Sequence, residues 1–197
     1  MPFCHNSSFL EHPASQYTLD ELFSFLQKRQ GILDGVCISG GEPTLNSELP
    51  DFIKKIKSFG YLVKLDTNGT NPDMLEDLIK NNLLDYVAMD VKSSLDQYEK
   101  CCGCLVDLPS ISRSISLLLK GQVSYEFRTT VVEELHTTDA IKNMGELLKG
   151  ADKLFLQSFV ASDGVLTKNL HAPSPHQLEN YREILRHYVS NVFIRGE

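Results

Sequence analysis

The chain has 197 residues, of which 42% are hydrophobic, so it can bury one core and we expect a single domain over residues 1–197. Nineteen basic and 26 acidic side chains give a formal net charge of −7, which argues against nucleic acid or an anionic membrane as a partner. No stretch reaches the roughly 18 consecutive apolar residues of a membrane span, and no signal-peptide pattern opens the chain. Five cysteines without disulfide spacing favour a reducing, cytoplasmic location.

Helical and strand patterns alternate along the chain. Thr18 and Glu21 form a capping-box pattern before the first helix, and further helices are expected to begin near residues 47, 71, 109, 138 and 174. Apolar runs predict strands at 36–39, 61–66, 85–91, 123–132, 153–160 and 192–194. Alternation of this kind is typical of right-handed βαβ units, so the sequence predicts an α/β fold with a parallel sheet.

A glycine pair, Gly40 and Gly41, follows the first predicted strand, and Glu42 comes directly after it. Without Cβ atoms the backbone can adopt a positive φ and lets a ligand approach the main chain closely. Glu42 then offers a carboxylate to a cationic group. The alternative is an ordinary turn with a surface glutamate, since glycine pairs also mark plain turns.

Other polar side chains fall at the ends of the next predicted strands. Asp66 ends the second, and Asp90 and Lys92 end the third, while Arg128 lies within the fourth. Singly, each fits a turn or a structural ion pair. Because the carboxyl ends of parallel strands share one edge, we expect these groups together on one rim. Such a rim suits a zwitterionic amino acid that carries a nucleoside, with hydroxyl and amide groups added by Thr67 and Asn68.

Five motifs occur in order: Cys-His-Asn at 4–6, Gly-Gly-Glu-Pro-Thr at 40–44, Asp-Thr-Asn-Gly at 66–69, Met-Asp-Val-Lys at 89–92 and Phe-Arg-Thr-Thr-Val-Val at 127–132. The set resembles the radical S-adenosylmethionine (SAM) enzymes. Within them it is most similar to the activating enzymes of glycyl radical enzymes, above all that of anaerobic ribonucleoside-triphosphate reductase. The resemblance extends from Phe3 to about Phe159 and implies a partial parallel (β/α) barrel.

The resemblance also implies roles for individual residues. Cys4 matches the third cysteine of the family's CxxxCxxC loop, which holds a [4Fe–4S] cluster and makes this residue catalytic through the cluster. Phe3 matches an aromatic residue packed against the SAM adenine, and Asn6 a polar contact beside it. Gly40, Gly41 and Glu42 match the turn that receives the methionyl amino group. Asp90, Lys92 and Arg128 match contacts to ribose and carboxylate, and Thr67 and Asn68 complete the expected cofactor-binding set.

Asp66, Thr67 and Asp90 are similar to the monovalent-cation site of the pyruvate formate-lyase activase. The family's activity implies a low-potential electron donor, cleavage of SAM to methionine and a 5′-deoxyadenosyl radical, and removal of a hydrogen atom from a backbone glycine. The implied partner is a glycyl radical enzyme, and the implied setting is anaerobic. The protein's share of such chemistry is to orient the cofactors and to exclude water.

The chain departs from the family at its start. The second cluster cysteine should stand at Met1, and the first would precede the chain together with the first barrel strand. We therefore expect an N-terminally shortened chain, inactive as written for want of two thiolates. The closely spaced Cys101, Cys102 and Cys104 are not expected to replace them.

Two alternatives remain open at this point. The chain could be a radical SAM enzyme that acts on a small molecule, similar to a deazaguanine synthase. It could also be a catalytically silent module that binds SAM or a partner protein.

Overall fold

A computed structural model describes residues 17–161, 165 and 167–196. Its centre is a six-stranded sheet in which every neighbouring pair is parallel and the strands lie in chain order. The strands are β1 (Gly35–Ile38), β2 (Leu62–Thr67), β3 (Tyr86–Asp90), β4 (Ser124–Val131), β5 (Lys153–Ser158) and β6 (Asn191–Arg195). Consecutive parallel strands without a reversal are the arrangement of a partial (β/α) barrel, so the expected fold is confirmed.

Helices connect the strands: α1 (Leu19–Lys28), α2 (Leu49–Ser58), α3 (Pro72–Lys80), α4 (Tyr98–Cys102), α5 (Leu108–Leu119), α6 (Thr138–Leu147) and α7 (Pro175–Leu185). The local signals at their starts are satisfied. Thr18 and Glu21 form the complete capping box of α1, and Asn71 caps α3 before Pro72. Ser174 accepts a hydrogen bond from the Gln177 amide at the start of α7. Each cap satisfies an N–H group that the helix leaves unpaired.

The two faces of the sheet differ in chemistry. Val63 and Leu65 of β2 are fully buried and belong to one hydrophobic cluster with residues of the surrounding helices. Lys64 and Asp66 alternate with them and lie on the opposite face, which we call the open face because its side chains stay partly exposed. Since side chains alternate along a strand, one sequence run supplies both the core and a polar surface.

The sequence pattern predicts no helix between β3 and α5. The structure contains a 3₁₀ turn (Leu95–Gln97) and the five-residue helix α4 there. Tyr98 and Cys101 of this helix are buried, so tertiary packing supplies an order that the sequence pattern does not reveal. Among the described residues, no helix is long and apolar enough to cross a bilayer.

Gly69 follows β2 with a φ of +77°, and a Cβ built on it would lie 2.1 Å from Met89 Cε. Gly121 has a similar φ of +67° but open space around it. We predict that Gly69→Ala lowers the free energy of unfolding by about 2–3 kcal/mol and Gly121→Ala by about 1 kcal/mol, because only the first also overpacks the core. Urea unfolding of both variants measures the difference, and equal losses would contradict the packing argument.

Candidate functional site

Five charged side chains form a continuous ion network on the open face, near the carboxyl ends of β2, β3 and β4. Arg128 lies at its centre: Nη1 donates to Asp66 Oδ2 at 3.0 Å and Nε to Asp90 Oδ1 at 2.9 Å. Lys64 donates to the other oxygen of Asp66, and Lys92 Nζ donates to Asp90 Oδ2 at 3.1 Å. One guanidinium therefore ties β4 to both β3 and β2. We call these five residues the rim network.

Burial makes these contacts stronger than surface ion pairs. The side chains of Arg128, Asp66 and Lys92 are 15%, 16% and 13% exposed. Burial alone would raise the pKa of Asp66, but the bonds from Lys64 and Arg128 outweigh it and hold that pKa below its ordinary value. Burial likewise works to lower the pKa of Arg128, and the two carboxylates reverse this and raise it. The cationic partners of Asp66 therefore favour its ionised form despite its burial.

Glu42 lies at the end of β1 and is held by the chain itself. Its Oε1 accepts hydrogen bonds from the Thr44 hydroxyl at 2.6 Å, the Thr44 amide at 3.2 Å and the Thr67 hydroxyl at 2.7 Å. Its Oε2 accepts one bond, from the Asn68 amide at 2.6 Å. Glu42 therefore joins the turn after β1 to the turn after β2, and Oε2 keeps capacity for a further donor.

The turn beside Glu42 is open to a ligand. Gly40 has a φ of +141°, and Cβ atoms built on Gly40 and Gly41 would meet no heavy atom of the described residues within 4 Å. Within the described part of the chain, no hydrogen bond engages the backbone of either glycine. Free backbone groups beside open space fit the close approach that the sequence predicts for this turn.

The structure groups the predicted residues into two neighbouring sets rather than one. Asp66, Asp90, Lys92 and Arg128 meet in the rim network, whereas Glu42 meets Thr67 and Asn68. The Thr67 side chain is buried on the opposite face of β2 from Asp66, so the side chains of these two proposed cation ligands point to opposite faces of the sheet. Moreover, Lys and Arg groups already bond all four oxygens of the two aspartates. The predicted monovalent-cation site stays a prediction, as do the roles of Phe3, Cys4 and Asn6, which lie outside the described residues.

Two residues near the rim were missed by sequence reasoning. Lys64 lies two positions before Asp66 on the same strand, so the alternation of β2 contains the signal that places both on the open face. His136 is buried in the loop after β4, and its Nε2 bonds the carbonyl oxygen of Lys92. No periodic pattern marks it, because its position depends on how that loop folds back.

Cys101, Cys102 and Cys104 do not form a cluster site. Cys101 is fully buried and its thiol lies 3.8 Å from the Leu135 carbonyl oxygen, while Cys104 is exposed. Burial raises the pKa of Cys102 to about 11, which keeps it protonated at neutral pH. Among the described residues, three potential metal ligands approach one another only in an exposed group of Glu133, Glu134 and His171.

Residues 2–136, which are more than half of the chain, match the family model of the radical SAM superfamily. The chain belongs to the radical SAM superfamily. The family implies SAM and a [4Fe–4S] cluster as cofactors. The polar rim and the open glycine turn are compatible with SAM, whereas Cys4 is outside the part of this radical SAM protein that the structure describes.

The chain is also similar to individual proteins and to a solved structure. A Methanocaldococcus jannaschii protein with the provisional name glycyl-radical enzyme activating enzyme is 35% identical over an alignment of 201 residues, gaps included. The alignment covers 98% of this chain and 83% of that protein. The 7-carboxy-7-deazaguanine synthase of Haemophilus influenzae is 25% identical over 164 residues, covering 77% and 71% of the two chains. A solved domain of pyruvate-formate lyase-activating enzyme from Bacteroides vulgatus covers 83% of this radical SAM protein and 100% of its own chain, with a TM-score of 0.67 at 21% identity.

The contacts of Glu42 generate a prediction. In Glu42→Gln an amide NH₂ must replace one acceptor oxygen and face a hydroxyl or amide donor, so we expect a loss of about 1–3 kcal/mol in the free energy of unfolding. Glu48→Gln is the matched control, since Glu48 is exposed and its side chain makes no capping bond. Chemical denaturation of both variants measures the difference. A Glu42→Gln protein as stable as Glu48→Gln would show that the four bonds contribute little.

Proposed function

We propose that this chain is the activating enzyme of a glycyl radical enzyme, and that its partner is an anaerobic ribonucleoside-triphosphate reductase. The convergence of Asp66, Asp90, Lys92 and Arg128 beside an open glycine turn is the structural observation that carries the proposal. The relative at 35% identity supports an activating enzyme over other members of the superfamily. The choice of the reductase rests on the motifs at residues 66–69, 89–92 and 127–132.

Charge supports the placement of SAM on this rim. Three cationic side chains face two carboxylates in the rim network, which leaves one formal positive charge. This excess attracts a carboxylate, and Lys92 and Arg128 are the donors suited to bind it. Glu42 Oε2 and the backbone carbonyl oxygens of Gly40 and Gly41 are the acceptors available for an ammonium group.

Different residues of the chain therefore bind different parts of SAM. The glycine turn receives the amino end of the ligand, the rim network receives its carboxylate and ribose, and the arrangement of fixed charges orients both without rearrangement. A bound [4Fe–4S] cluster and SAM would supply the radical chemistry itself. Cys4 is the residue of this chain proposed to ligate the cluster.

A small-molecule reaction is the second candidate, because the deazaguanine synthase also matches most of the chain, at 25% identity. Anaerobic reconstitution with iron and sulfide, followed by incubation with a reductant, SAM and the reductase, separates the candidates. The proposal predicts 5′-deoxyadenosine together with a glycyl radical signal on the reductase in electron paramagnetic resonance spectra, and this result would overturn the expectation that the chain as written is inactive. Cleavage of SAM without a glycyl radical would favour the small-molecule reaction, and binding without cleavage would favour a silent module.

The rim network itself is tested by substitution. We predict that Arg128→Ala weakens SAM binding at least about tenfold, because it removes a buried donor and leaves Asp66 and Asp90 with one cation each. Arg113→Ala is the control: Arg113 of α5 is half-exposed and pairs with Asp73 and Glu76 of α3, which are not part of the rim network. Equilibrium binding of SAM to the reconstituted variants measures the effect. Equal affinities in both variants would remove Arg128 from the site.

A further inference from the structure

His136 is a buried histidine to which the proposed function gives no role. It lies in the loop after β4, and 1% of its surface is exposed. Its Nε2 lies 2.9 Å from the carbonyl oxygen of Lys92, and the Val132 amide donates to its Nδ1 at 3.0 Å. The Val132 carbonyl oxygen also lies 3.2 Å from Nδ1. Because the Val132 amide can only donate and burial lowers the pKa of His136, we assign a neutral ring with the proton on Nε2.

The carbonyl that His136 binds belongs to a residue of the rim network. The segment after β3 is attached to β4 by the Val91 amide, which donates to the Arg128 carbonyl at 2.9 Å, and by the Thr129 hydroxyl, which donates to the Val91 carbonyl at 2.8 Å. The ring of His136 continues this attachment to Lys92 itself, beyond the last residue of the strand. The loop is held in turn by the Tyr181 hydroxyl of α7, which donates to the His136 carbonyl at 2.6 Å.

From this geometry we infer that His136 is a positioning residue for the SAM site. It holds the backbone of Lys92 against the end of β4, so that the Lys92 and Arg128 side chains are presented on the same rim. The inference rests on the proposed function for the ligand, although the attachment of the segment is a property of the chain alone. Because the bond to His136 already fixes the Lys92 backbone, Lys92 loses less conformational freedom when SAM binds, and this raises the affinity for SAM.

Two variants separate the two bonds of the ring. In His136→Gln the side-chain amide reaches the position of Nε2 and can donate to the Lys92 carbonyl, while the Val132 amide loses its acceptor. In His136→Asn the shorter amide reaches the position of Nδ1 and can accept from Val132, but it cannot reach Lys92. Both replace a buried ring by a smaller amide, so they serve as matched controls for the general loss of packing.

Amide hydrogen exchange, read by mass spectrometry, tests the attachment without any cofactor. We expect the Val91 amide, which donates to the Arg128 carbonyl, to exchange about tenfold faster in His136→Asn than in His136→Gln, since one buried hydrogen bond is worth up to about that factor. Exchange in α2, which contributes no residue to the rim network, should be equal in the two variants. Equal exchange at Val91, or a uniform increase throughout the chain, would overturn the inference.

Equilibrium binding of SAM to the reconstituted chain tests the consequence for the site. We expect His136→Asn to bind SAM about fivefold to tenfold more weakly than the wild type and His136→Gln within about twofold of it. Equal weakening in both variants would overturn the positioning role. If the wild type itself does not bind SAM, the proposed function fails, and the exchange comparison alone then decides whether His136 holds the Lys92 segment.

Discussion

The guanidinium of Arg128, bonded to Asp66 and Asp90, is the interaction on which the candidate site depends. It spans three parallel strands, because Arg128 is on β4, Asp90 on β3 and Asp66 on β2. A second arginine repeats the device on the same face: Arg195 of β6 reaches across β5 to the buried Glu126 of β4, at 3.2 and 3.3 Å. In each case a planar donor reaches a strand that is not its neighbour: Arg128 of β4 reaches β2, and Arg195 of β6 reaches β4. The flexible point charge of lysine performs this task less well.

A charged network on one face of a sheet requires the opposite face to supply the core. The alternation in β2 meets this requirement, since Val63 and Leu65 are fully buried while Lys64 and Asp66 face the rim. The described helices pack against the apolar face, and the Lys64 and Asp66 side chains on the polar face are partly exposed among the described residues. The same arrangement that stabilises the sheet therefore exposes the groups that a zwitterionic ligand needs.

Local chemistry explains why most of the fold could be predicted from the sequence. Caps such as Thr18 and Asn71, and the apolar runs of the strands, act over a few residues, and all six strands were predicted to within about two residues of their ends. The sequence also predicted that Asp66, Asp90 and Arg128 lie together, because the carboxyl ends of parallel strands share one edge of the sheet. By contrast, the bonds from Thr67 and Asn68 to Glu42 and the ring of His136 depend on loop paths, for which sequence spacing carries no signal.

Glu42 illustrates how the structure changes the meaning of a correctly chosen residue. The sequence favours a carboxylate that is free to bind a cation, whereas the structure has Oε1 fully engaged and only Oε2 with spare capacity. Its first task is to hold two turns together.

A crystal structure of the anaerobically reconstituted chain with SAM tests the central claim most directly. The account predicts SAM across the carboxyl ends of β1 to β4, with its amino group at Gly40, Gly41 and Glu42 and its carboxylate bonded to Lys92 or Arg128. SAM bound elsewhere, with the rim network unchanged and facing solvent, would contradict it.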